Sequence, residues 1–167
     1  MTENELKKIK QLLDNAESSI HHVRSLIFSS EISQKAEKLE LKSEDNIIEG
    51  VFDGESMISS DNKKYLIPSN YASKSKLVSG DILKLTIAPD GTFLYKQIGP
   101  VKRKKLVGVL EEIDKGKFVV KAEDGIYNIL LASVTYFKAA AGDKLTILIP
   151  EEIKSDWAAV ENKIEEL

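Results

Sequence analysis

The chain has 167 residues, 31% of them charged, with a net charge of −3 and no cysteine. That length fits one ordinary domain or two small ones. The lack of thiols excludes disulfides, thiolate zinc sites, iron–sulfur clusters and cysteine nucleophiles, and it suits a reducing compartment.

The first residues, "MTENELKKIKQLLD", have neither an uninterrupted apolar core nor a small-residue cleavage site, so no signal peptide is expected. No apolar run approaches the ~20 residues that span a bilayer. Together these features predict a soluble, cytoplasmic protein without a membrane partner.

Thr2 and Glu5 have the spacing of a capping box at a helix start. Leu6, Ile9, Leu13, Ala16, Ile20, Val23 and Ile27 then follow at alternating intervals of three and four residues, the a/d pattern of a coiled-coil seam. Leu12 and Leu26 fall on the g flank and widen the stripe. So amphipathic a helix gains most of its stability from packing. Residues 1–30 are therefore predicted to be an oligomerisation helix giving a homo-oligomer, with docking on the rest of the chain as the alternative. A membrane-surface role is disfavoured because the polar face mixes both signs. His21 and His22 are adjacent, about 100° apart on a helix, and cannot share one metal; they read as an ordinary surface pair. Residues 31–45 read as a polar tether or a short second helix anchored by Ile32, Ala36 and Leu39.

After Asn46 the texture changes to short alternating runs divided by Gly, Asp and Asn, which is strand-and-turn language. It also repeats. "SKLVSGDILKLTI" (75–87) resembles "KAAAGDKLTILI" (138–149), and a shift of 62 residues places Tyr65 on Tyr127, Gly80 on Gly142, Asp81 on Asp143, Leu83 on Leu145 and Ile87 on Ile149. With a four-residue gap, "IEGVF" (48–52) lies over "LVGVL" (106–110). The expectation is an internal duplication with four strands per copy, near 46–53, 64–68, 82–88 and 92–98, then near 106–113, 117–122 or 126–131 or both, 144–149 and 156–161. The last segment has helical propensity, but its place in the repeat makes it a strand. The predicted fold class is α+β: a coiled-coil-like helix, then a mainly antiparallel β region of two duplicated small barrel-like modules, at 46–101 and 106–162, joined by a basic linker at 102–105.

No pattern of a P-loop, a dinucleotide site, a nucleophile elbow or a zinc protease is present. Both histidines belong to the helix, so the β region has none to offer as base or ligand. Asp81 and Asp143 are explained structurally by their place beside glycine at a strand entry. Glu111–Glu112 and Glu151–Glu152 read as solvated carboxylates. A non-enzymatic protein is expected, with no catalytic residue, cofactor, metal or small-molecule substrate.

Charge offers one polarity. Lys plus Arg against Asp plus Glu run 7 to 9 over residues 1–45, 10 to 6 over 46–105, and 7 to 12 over 106–167. The basic middle sets Tyr71 beside Lys74 and Lys76 in a loop, with Lys63 and Lys64 ahead and Lys102, Arg103, Lys104 and Lys105 behind. Rings that stack bases among cations that neutralise phosphates would hold single-stranded nucleic acid. RNA or the ribosome is the expected partner, and replacing residues 102–105 by Ala is expected to weaken binding without unfolding. The plainer alternative makes these lysines a solvated face and the rings core. A protein–protein adaptor without nucleic-acid contact is the competing functional reading.

At "NYASKSKLVSGD", "YKQIGP", "LLASVTYFK" and "WAAVEN" the chain resembles a family from small-genome, uncultivated bacterial lineages whose members carry the label of the large-subunit ribosomal stalk protein. The resemblance covers the β region through Trp157 and, more loosely, the helix. It implies a helical dimerisation region, a tether, a globular head and an association with translation. The Gly-Leu-Lys-rich helix of the stalk head has no counterpart here, so no stalk residue is carried over.

Overall fold

The computed structural model describes residues 2–39, 41 and 43–166, with the side chains of Ser18, His21 and Ser43 outside that description. The surface-pair reading of the two histidines therefore lies outside it at His21; His22 is exposed.

Helix α1 spans Glu3–Lys38. Its start is fixed by the expected capping box: Glu5 N donates to Thr2 Oγ1 at 3.3 Å and Thr2 N to Glu5 Oε2 at 2.6 Å. The helix does not stop near residue 30. It runs on through the stretch read as a tether or a short second helix, because Ile32 and Ala36, two of the anchors named for that helix, lie one turn apart and are buried against Val51 and Ile58. Lys35 Nζ also donates to Gly80 O at 2.8 Å, and Asn62 Nδ2 to Glu37 Oε1 at 2.9 Å. Two buried apolar side chains and two polar ties are enough to hold a segment that looks polar overall.

Beyond it come β1 (Ser43–Glu44), β2 (Ile47–Phe52), β3 (Ser56–Ser59), β4 (Lys64–Leu66), α2 (Ser69–Lys74), β5 (Ile82–Ile87) and β6 (Phe93–Gly99). They form an antiparallel sheet of order β4-β3-β2-β5-β6, with β1 added on β2. Then follow β7 (Arg103–Asp114), β8 (Lys117–Ala122), β9 (Gly125–Ile129), α3 (Leu131–Tyr136), β10 (Lys144–Pro150) and β11 (Ala159–Ile164), in a second antiparallel sheet of order β11-β10-β7-β8-β9. The class is α+β.

The two sheets share one strand order: a central first strand, two strands to one side, a six-residue helix, then two strands to the other side. Their turns before β5 and β10 match in detail. Val78 N donates to Asp81 Oδ2 at 2.9 Å, and Ala140 N to Asp143 Oδ2 at 2.8 Å. Gly80 N donates to Phe52 O and Gly142 N to Leu110 O, both at 2.8 Å. The glycines have φ of 98° and 95°, where any side chain would be strained. The "GD" phrase thus encodes a turn that fastens each sheet's helix to its central strand.

The first unit carries five strands on this path rather than the expected four, the second carries both of the candidate strands at 117–122 and 126–131, and each unit has a short helix ahead of its Gly-Asp turn. Strand β3 escapes notice because all four of its residues, Ser-Met-Ile-Ser, are buried, which erases the alternation of a half-exposed strand. Helices α2 and α3 are too short for a 3.6-residue period to register. The terminal strand exists but begins at Ala159. Residues 155–157 are held instead in a turn, with Trp157 N donating to Ser155 Oγ at 3.0 Å. Trp157 makes an isolated parallel bridge to Asn128 of β9.

The sheets have separate cores. One gathers Phe52, Met57, Leu77, Leu83 and Leu85, the other Leu110, Val120, Leu145, Ile147 and Val160. Between them Val78, Leu148 and Ala159 form a bridging cluster. Hydrogen bonds from Ser133 Oγ to Ser73 Oγ (3.0 Å) and from Ser155 Oγ to Ser79 Oγ (2.9 Å) tie the units together. Each sheet core is small, so shared burial is how such units gain stability. No helix among the described residues is long and apolar enough to cross a membrane.

Candidate functional site

Two features stand out from this frame: the free face of α1 and the basic cluster. Along α1 the apolar stripe behaves in two ways. Ile32 and Ala36 are buried, whereas Leu6, Ile9, Leu12, Leu13, Ile20, Val23, Leu26 and Ile27 are each 43–60% exposed. Ala16, within the same seam, is exposed too. Scattered exposed leucines are ordinary; here large aliphatics recur along one stripe over more than five helical turns. Close by, the outer face of the second sheet carries its own exposed aliphatics, Val107, Val109 and Ile126. Val109, Lys121 and Ile126 are cross-strand neighbours in register. Lys121 has its pKa raised first by its bond to Glu111, with a further contribution from Glu17 of α1. The middle of the helix therefore lies within electrostatic reach of that face.

The basic residues are spread over several elements, and two of them meet: Arg103 Nη2 donates to Lys76 O at 3.3 Å. Lys63 pairs with Asp61 at 3.5 Å and Lys64 with Asp53 at 3.9 Å. Tyr71 is half-buried against the first core, its ring 6.3 Å from that of Tyr95. Lys74 is exposed at the end of α2, and Lys76 is half-buried at the positive-φ position that closes it. Lys102 is exposed. Arg103, Lys104 and Lys105 open strand β7 rather than forming a linker. Successive strand residues point to opposite faces, so Lys104 projects opposite to Arg103 and Lys105. Lys104 pairs with Asp124 at 3.0 Å and Lys105 with Glu161 at 3.0 Å.

Arg103 has a different task. Its Nη2 donates to Asp81 Oδ2 at 2.6 Å and its Nη1 to Val101 O at 2.7 Å. Asp81 is fully buried, and its carboxylate also accepts from Val78 N, Gln97 Nε2 and Val101 N. Four donors compensate one buried charge, the condition under which such a charge is tolerated. The cluster locks together the turn before β5, strand β6 and the start of β7. Arg103 is thus a structural residue, and its replacement within a 102–105 Ala variant carries a folding penalty. The corresponding Asp143 is half-buried and paired with Lys163 at 2.8 Å; that bond, then one from Ala140 N, holds its carboxyl below the usual range.

Lys74, Lys76 and Lys102 remain without an ion-pair partner among the described residues. Tyr127 Oη donates to Asp124 Oδ1 at 3.2 Å, and burial first, then the neighbouring Asp124 charge, pushes its phenol up to about 12. Lys35 has its pKa lowered mainly by burial, against the opposing pull of Asp81 and Glu152. It lines an open groove of about 460 Å³ between the end of α1 and Glu152–Lys154. That groove mixes both charges, with Glu31 and Glu152 lining it beside Lys35, Lys38 and Lys154. Among the described residues no three His, Cys, Asp or Glu side chains converge as metal ligands, and no buried side-chain nitrogen or oxygen lacks a hydrogen-bond partner.

No protein-family model, curated protein or solved structure matches the chain.

Proposed function

We propose that this chain is a non-enzymatic binding protein that self-associates through α1, with the β region as the part it presents to partners. The observation that supports this most strongly is the exposed stripe from Leu6 to Ile27 on a helix whose other end is firmly docked. A helix with that much uncovered aliphatic surface is stabilised by covering it. In the same reading the β region is two copies of one ancestral unit, each curled toward a small barrel. The shared strand order supports the first point. The second draws on the Asn128–Trp157 bridge and on Tyr95 Oη donating to Leu66 O at 3.0 Å, which draws the outer strands of the first sheet together.

Far-UV circular dichroism over a dilution series tests the seam. Helicity should fall as the chains separate, because residues 3–27 lose their packing. Constant helicity at every concentration, with an unchanged hydrodynamic radius, would contradict it.

A second reading makes RNA or a ribonucleoprotein the partner of the first sheet. It is favoured by Lys74 and Lys102, exposed and without an ion-pair partner among the described residues. The surface pairs of Lys63 and Lys64 are worth at most about 1 kcal/mol and would yield to a phosphate; the Arg103–Asp81 pair would not. Co-sedimentation with ribosomes at low and high salt tests this reading, which requires retention at low salt and release at high salt.

A further inference from the structure

The exposed seam of α1 also carries a charge code. With Leu6 at a heptad a position, the e positions that flank the seam are Glu3, Lys10, Glu17, Arg24 and Glu31. Their sign alternates without a break. In an antiparallel helix pair a faces d and e faces e of the other chain; in a parallel pair a faces a, and g faces e.

Set antiparallel with Leu13 against the partner's Ala16, the seam brings Leu6 opposite the partner's Val23 and Ile9 opposite the partner's Ile20. The flank then puts Lys10 against the partner's Glu17 and Glu3 against the partner's Arg24, each contact occurring twice by symmetry. Sliding one heptad either way reverses every sign. Lys10 then meets the partner's Arg24 or the partner's Lys10, and Glu17 meets the partner's Glu17 or the partner's Glu3. Like charges facing across an interface disfavour that register. The parallel arrangement offers one attractive kind of flank contact, Glu5 with the partner's Lys10. It also stacks Ala16 on the partner's Ala16, leaving a gap where the antiparallel seam sets Ala against Leu.

We infer that α1 pairs antiparallel with a second copy of this chain, in the register whose two-fold axis falls between Asp14 and Asn15. This rests on the reading of α1 as the self-association seam. The docked ends, at Ile32 and Ala36, then lie at opposite ends of the pair. Glu3 already has Lys7 at 3.1 Å, and Glu17 lies within reach of Lys121, whose ion-pair partner is Glu111 at 2.9 Å. The contact of Lys10 with the partner's Glu17 is therefore the one that decides the register.

The chain has no cysteine, so single spin labels can be placed in the full-length protein through Asn15→Cys and Ser25→Cys, both outside the seam. Sedimentation equilibrium first establishes whether the chain pairs, and pulsed electron paramagnetic resonance then reads the separation. The antiparallel register predicts near-zero axial offset between the labels at 15 and roughly 30 Å between those at 25, from 1.5 Å of rise per residue. Similarly short separations at both sites would mean a parallel pair and overturn the inference while leaving self-association intact. A monomer without dipolar coupling would overturn both. As an independent check, Glu17→Lys should weaken the pair roughly tenfold by setting lysine against lysine, and adding Lys10→Glu to the same chain should restore it. A double variant weaker than either single one contradicts the register.

Discussion

Arg103 Nη2 donates to Asp81 Oδ2 at 2.6 Å, which fastens the first residue of the second sheet's central strand to the turn that opens β5. Of the two partners the carboxylate is fully buried and the guanidinium nearly so, at 0% and 19% side-chain exposure. One pair of charges thereby couples the two sheets.

Breaking that pair from one side leaves an uncompensated buried carboxylate. Arg103→Ala should lower unfolding stability by about 3 kcal/mol, the low end for such a break because the guanidinium keeps some water. Lys102→Ala, one residue away on an exposed side chain, should stay within about 0.5 kcal/mol of the parent. Urea denaturation of both variants checks the contrast, and equal effects would mean that Asp81 finds another cation.

The two ends of α1 should respond oppositely to the same kind of change. Ile32→Ala empties a site that is 2% exposed and should cost about 2–4 kcal/mol of monomer stability. Ile20→Ala acts on a half-exposed side chain and should leave monomer stability nearly unchanged while weakening self-association. Thermal unfolding at low and high protein concentration separates these effects, because a seam variant alters the concentration dependence of the midpoint.

Asp143 gives the acid limb a definite sign. Its carboxyl is held below the ordinary 3.8, first by the bond from Lys163. The folded value thus lies below the unfolded one, and the stability it contributes is present above about pH 4 and lost as pH falls through the folded value. Lys163→Ala should therefore be less stable than the parent at pH 7, with the difference shrinking below pH 4. A difference that does not vary with pH would place the lysine's contribution elsewhere.

Ribosome or RNA contact, if made through the first sheet, should rest on the lysines that the fold leaves unpaired. The combined Lys74→Ala and Lys102→Ala variant should lose most retention at low salt while remaining folded, with a shallower dependence of affinity on salt. Retention unaffected by both changes and by salt would favour a protein partner.

The heptad of α1, the "GD" turns and the long strands β5, β7 and β10 were legible because each carries a periodic or conformational signal in a few residues. Thr2 with Glu5 and Gly80 with Asp81 are read correctly from spacing alone. What stayed hidden was set by tertiary contact. The choice between tether and helix over residues 31–38 is decided by the burial of Ile32 and Ala36; uniform burial masks the strand Ser56–Ser59, and the short helices bearing Ser73 and Ser133 hold the two units together. For the candidate sites, the exposed stripe of α1 could be named from sequence because a helix displays its periodicity directly. The basic residues could not be sorted, since nothing in "KRKK" says that its second residue is committed to Asp81.

In the proposed reading α1 is an interface and not a loose appendage. Its most direct test is sedimentation equilibrium of the full-length chain beside Leu13→Asp, a substitution that puts a charge in the middle of the seam at several kcal/mol if that position is covered. An assembly of at least two chains is expected for the parent, reduced to a monomer by the substitution with its β-sheet signal intact. A parent that sediments as a single chain at every concentration, indistinguishable from the Leu13→Asp variant, would contradict it.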